Sequence, residues 1–197
     1  MRIKIAALVG VLAAAFMHNA AAVAIWDEGA DGDLSSDPGA PTVVAVDIGS
    51  NSFAGSSGFG DMDLLTFEVP SGARLAQIVL TMYDSSSALA FLGIEAGSGI
   101  TDITSPEHLL GWVHTSAAML GTDVLDDAAQ GPGAIGFTAP LGPGTYTLWV
   151  QETGSSPLSY AFDVVLIPGS TQLPEPTGGM LFTLGLGALF VARRRRA

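Results

Sequence analysis

The sequence contains no cysteine. That excludes a disulfide framework, a thiolate nucleophile and any metal centre built on thiolates. Basic residues are nearly missing from its middle. Of seven Lys and Arg, Arg2 and Lys4 stand at the start, Arg193, Arg194, Arg195 and Arg196 at the end, and only Arg74 between. All 19 Asp and Glu fall between Asp27 and Glu175; against one arginine they leave that stretch with a charge of −18. Such a field repels nucleic acid and anionic lipid, because binding phosphates takes clustered Lys and Arg. Histidine is scarce as well. His108 and His114 are the two beyond the N-terminal segment, six residues apart with no third ligand nearby, so they do not make a zinc site. No Gly-x-Ser-x-Gly elbow offers a serine nucleophile. "GPGAIG" at 131–136 fits a dinucleotide-binding pattern, but no strand precedes it and no helix follows, so it reads as a turn.

What is present divides into two ends and a body. The chain opens with Arg2 and Lys4, an apolar run from Ile5 to Phe16, and Ala-x-Ala patterns at Ala20–Ala22 and Ala22–Ala24. A basic start, a short apolar run and small residues make a secretory signal peptide, predicted over 1–24, with Val23 or Ile25 as the first mature residue. The far end carries Pro174-Glu175-Pro176, then sixteen uncharged residues, Thr177 to Ala192, then the four arginines. As a helix that run measures about 24 Å against a bilayer core of about 30 Å. It is a marginal transmembrane helix over 177–192. Arg193, Arg194, Arg195 and Arg196, the basic tail 193–196, set its topology by staying on the cytoplasmic face. The two prolines hold the approach extended, a form that a processing enzyme can read as a strand.

Triplet, apolar helix and terminal arginine cluster together resemble the PEP-CTERM sorting signal of Gram-negative bacteria, over residues 173–197. The resemblance implies an exosortase as partner, processing near Pro174, Glu175 and Pro176, and an exported protein. The precursor would be anchored in the inner membrane and the product released to the cell surface or beyond. Carriers of this tag are associated with extracellular polysaccharide. The Gram-positive sortase motif, Leu-Pro-x-Thr-Gly, is missed by one extra residue in "LPEPTG".

The body, 25–172, has little helical periodicity. "PTVVAVDIG", "DLLTFEVP", "AQIVLTMYD", "LAFLGIEAG", "LLGWVHT", "AIGFTAP", "GTYTLWVQE" and "SYAFDVVLIP" are short apolar or alternating runs, separated by Gly, Pro, Asn, Asp and Ser. Period 2 puts Tyr146, Leu148 and Val150 on one face and Thr147, Trp149 and Gln151 on the other. Tyr160, Phe162, Val164 and Leu166 likewise share a face. About eight such strands predict an all-β domain, an antiparallel, jelly-roll-like β-sandwich. "SAAMLGTDVLDDAAQG" is the exception, read as a short helical turn or a long loop.

"DGDLSSDPGAPT" at 31–42, "GDMDLLTFEVPSGARLAQIVLTMYDS" at 60–85 and "GPGTYTLWVQETG" at 142–154 resemble the bacterial pre-peptidase C-terminal domain family. The shared features are Asp-x-Asp before a strand, a Val-Pro-x-Gly turn and a late Gly-x-Tyr-x-Leu strand. The resemblance implies a non-catalytic β-sandwich and names no ligand. The chain departs from the family in having no protease domain before it and Leu64 where an aromatic is usual.

Two kinds of binding residue remain. Hard cations take several carboxylate and carbonyl oxygens, and "WDEGADGDLSSD", "GDMD" and "DVLDD" supply carboxylates in groups. Asp31, Asp33, Asp61 and Asp63 are the calcium candidates. The EF-hand spacing fails, and the same residues read equally as turn-formers whose side chains bond their own backbone. Trp26, Trp112 and Trp149 are the aromatic candidates for stacking on sugar. Trp149 is exposed for this if Tyr146 and Leu148 point inward, though a two-sheet core can bury either face. The expected role is that of a structural or adhesive protein in extracellular polysaccharide or biofilm matrix, with no catalytic activity and no nucleic-acid partner. The alternative is a secreted glycan-active enzyme using an acidic pair.

Overall fold

A computed structural model describes residues 21–86 and 89–169. The signal peptide through residue 20, Pro174-Glu175-Pro176, the helix 177–192 and the tail of Arg193, Arg194, Arg195 and Arg196 lie outside the described residues. Among the described residues no helix is long and apolar enough to cross a membrane.

The chain is all-β, with strands β1 (Val23–Asp27), β2 (Thr42–Val43), β3 (Gly49–Ser57), β4 (Met62–Val69), β5 (Ala73–Asp84), β6 (Ala90–Ala96), β7 (Gly111–Thr115), β8 (Gly144–Glu152) and β9 (Leu158–Pro168). Its helices are single turns, among them α1 (Glu28–Asp31) and α2 (Leu125–Ala128). Four strands form one sheet in the order β1-β3-β9-β5, and five form the other in the order β2-β4-β8-β6-β7. Inward residues of both sheets build one core. Phe53, Leu75, Ile78, Leu80, Phe162 and Val164 come from the first sheet; Leu65, Phe67, Leu92, Ile94, Leu148 and Val150 come from the second.

The expected all-antiparallel arrangement is corrected at two places. β1 runs parallel to β3, and β2 parallel to β4. Parallel neighbours need a long crossover between them, and each pair has one: residues 28–48 join β1 to β3, and β3 itself intervenes between β2 and β4. Other expectations change: "PTVVAVDIG" contributes only the two-residue β2. "AIGFTAP" is not a strand but a coil, bonded to the chain before β7 through Ile135 N–H to the Leu109 carbonyl (3.0 Å) and Gly136 N–H to the Leu110 carbonyl (2.9 Å). "GSNSFAGSS", with the composition of a turn, is the nine-residue strand β3. It qualifies because β1 and β9 flank it on both sides and Phe53 is buried in the core.

Candidate functional site

The outer face of the five-stranded sheet is not bare. Thr147, Trp149 and Gln151 of β8 point away from the shared core, as the alternation requires. The loops 97–110 and 129–137 then lie over part of that face. Leu64, Ile100, Leu109 and Trp149 form a second apolar cluster there, against which Met62, Phe91, Trp112 and Ala134 pack. Trp149 is therefore 8 % exposed, not open to solvent. Period 2 assigns its face; it cannot assign the cover, which comes from irregular loops.

Cross-strand register explains the aromatic arrangement. Leu64 faces Trp149, Trp149 faces Gly93 and Gly93 faces Trp112, so a glycine stands between two tryptophans. A Cβ at Gly93 would come within 2.9 Å of the Phe91 ring. The missing side chain lets that ring lie over the strand and bridge the two indoles. Phe91 meets Trp149 edge-on at 4.7 Å and stacks with Trp112 at 5.9 Å and 25°. His114 closes the row, its ring 5.2 Å from Trp112. Edge-on and offset contacts of this kind are the favourable geometries for aromatic pairs. Trp112 is fixed further by its indole N–H, which donates to the Pro132 carbonyl at 3.0 Å. The "GPGAIG" turn thus serves as a prop for Trp112.

Along this row runs a groove in two adjoining compartments. The first, about 250 Å³, lies among Trp112, His114, Leu109 and the segment Ile103–Pro106. The second, about 450 Å³, extends past Gln151 and Thr153 to Phe59. Phe91, Ile103 and Trp149 line both. Phe59 is 96 % exposed at the rim. The indole N–H of Trp149 is buried with no acceptor among the described residues. One carboxylate, Glu152, is among the lining residues, and its Oε1 accepts the Gly154 N–H. Trp26 stands apart from the groove and donates to the Gly32 carbonyl at 3.0 Å.

The acidic candidates separate. One carboxylate oxygen each of Glu28, Asp33 and Asp63 lies within 4.8 Å of the others. Asp33 and Asp63 are among the ligands expected from the sequence; Glu28 is not. Asp31 and Asp61 have other engagements. Asp31 Oδ2 accepts the Asp27 N–H at 2.9 Å, and Asp61 Oδ1 accepts the Ser36 hydroxyl at 3.2 Å. Asp63 points between the sheets, on the inward face of β4 with Leu65 and Phe67. Its Oδ2 accepts the Tyr160 hydroxyl at 2.8 Å. Its Oδ1 is buried without a partner among the described residues. Burial pushes the Asp63 carboxyl from 3.8 up to about 8, helped by the charges of Glu28, Asp61 and Asp33 and opposed by the Tyr160 hydrogen bond. Burial also raises the Tyr160 hydroxyl, with Asp63 adding to it.

Fold and site define an all-β protein of two mixed sheets, with an aromatic groove on one sheet and a carboxylate triad at the junction of both. Comparison with known protein families, with curated proteins and with solved structures finds no match.

Proposed function

We propose that the chain is an exported, surface-sorted protein of a Gram-negative bacterium, structural or adhesive within extracellular polysaccharide, and that it holds glycan in the aromatic groove. The body is read as a jelly-roll-like β-sandwich, a non-catalytic module similar to the pre-peptidase C-terminal domains. The observation that carries this reading is the run of Trp112, Phe91 and Trp149 along one groove, with Phe59 exposed at its rim. A pyranose has apolar C–H faces and a polar edge. It suits a cleft of aromatic plates with a few polar groups to orient it. Thr104, Ser105 and Gln151 supply those groups. The charge of −18 between Asp27 and Glu175 favours neutral over anionic polymers. A single lining carboxylate supports binding rather than hydrolysis by an acidic pair.

The test is retention on a glycan array by the full-length chain. Trp112 is half-buried beside the open part of the first compartment. Trp112→Ala should weaken binding to the captured glycan by roughly tenfold, about 1.4 kcal/mol of aromatic contact. Unchanged retention would move the binding face elsewhere.

The two ends supply export and sorting. Cleavage after Ala22 leaves β1 whole, whereas cleavage after Ala24 removes Val23 and Ala24, which pair with Asn51 and Ser52. Arg193, Arg194, Arg195 and Arg196 hold the far end on the cytoplasmic side, and an exosortase then processes the chain near Pro174–Thr177. The intact mass of the mature protein should lack Phe182 through Ala197; their retention would make 177–192 a permanent anchor.

A further inference from the structure

We propose that Glu28, Asp33 and Asp63 bind one calcium ion, which ties the N-terminal segment to both sheets. Oxygens that share one calcium at about 2.4 Å stand at most about 4.8 Å apart, and these three carboxylates meet that limit. They come from three parts of the fold. Glu28 opens α1, Asp33 lies in the exposed loop after it, and Asp63 sits in β4 of the opposite sheet.

The first two features that mark a built site concern Glu28 and Gly55. The Glu28 carboxylate is held from two sides, accepting the Leu34 N–H at 3.2 Å and the Ser56 N–H at 2.7 Å. Gly55 of β3 makes room for it. A Cβ there would lie 2.6 Å from the Tyr160 hydroxyl and 2.8 Å from the Glu28 carboxyl carbon.

The third feature points to a ligand. Asp63 is 1 % exposed, and while Tyr160 satisfies one of its oxygens, the other is buried with no donor among the described residues. Buried polar atoms without partners are rare and costly. A cation held among the three side chains gives the Asp63 carboxylate the partner it lacks. Hard oxygen donors and the absence of sulfur in the set select calcium over softer metals.

The test uses the full-length chain, stripped with EDTA and melted in a calorimeter with calcium chloride or with sodium chloride at matched ionic strength. Extracellular calcium modules bind at about 10⁻⁴ to 10⁻³ M. At calcium ten times Kd the melting temperature should rise by about 3–6 °C beyond the sodium control. Asp33→Ala, at an exposed position that leaves the core untouched, should abolish that difference, and Asp63→Asn, which keeps an oxygen but loses the charge, should shrink it. Asp126→Asn combined with Asp127→Asn, an acidic pair on α2, should keep it. Equal shifts in the two salts would overturn the proposal, as would a calcium-specific shift of full size in Asp33→Ala.

Discussion

In the presence of EDTA, Asp63→Asn should melt well above the parent chain at pH 8 and level with it near pH 4. The sign follows from the raised pKa. Below 3.8 the carboxyl is protonated whether the chain is folded or not, so the group contributes nothing. Between 3.8 and about 8 the unfolded chain has lost that proton and the folded chain keeps it. Folding then takes up a proton, and stability falls as pH rises, by about 1.4 kcal/mol per unit for one group. Across the window the loss approaches about 6 kcal/mol and is flat beyond it. Asparagine keeps an oxygen for the Tyr160 hydroxyl and carries no charge to bury, so its own curve lacks this slope. Other acids titrate in both proteins, and the difference between the two curves isolates Asp63. Parallel curves from pH 4 to 8 would show that the carboxyl is better hydrated than its position implies.

The second large effect belongs to the core. Phe162 is 1 % exposed, stacks on Phe53 at 5.6 Å and leans on Tyr160 at 5.7 Å. Phe162→Ala removes a ring that both sheets enclose and should cost about 3–5 kcal/mol. That lowers the melting temperature by roughly 6–20 °C for a domain of this size. Ile167, on the same strand and 40 % exposed, is the control. Ile167→Ala should cost no more than about 1 kcal/mol. Equilibrium urea unfolding measures both, and equal losses would mean that the core is not centred on the Phe53–Phe162 stack.

The strands that alternate cleanly are legible in the sequence. "GTYTLWVQE" becomes β8 with those bounds, and its Tyr146, Leu148 and Val150 are in the shared core. "SYAFDVVLIP" becomes β9 with one residue added, and Phe162 is inward as the period requires. β3 is hidden because local composition speaks for a turn and only its neighbours make it a strand. The burial of Asp63 leaves a signal in the sequence. It is in phase with Leu65, Phe67 and Val69, the core side of β4, whereas Asp61 lies before the strand. Parity sets it apart from the loop acids and shares that mark with Glu152, in phase with Leu148 and Val150 on β8. Glu28 has no such mark, since its place beside Asp63 depends on the way β1 and α1 fold back against β3. Trp149 illustrates the same limit: its face follows from alternation, and its cover from loops without a period.

The two sheets have their centres late in the chain. β9 lies between β3 and β5, and β8 between β4 and β6. Until residues 144–168 are available, four of the earlier strands have no central partner and neither layer can close. Contacts this distant in sequence make folding slow and all-or-none. A ribosome that holds back the last sixth of the domain therefore holds back the whole of it. The chain stays threadable until its final strands are released, and then both layers assemble around them together.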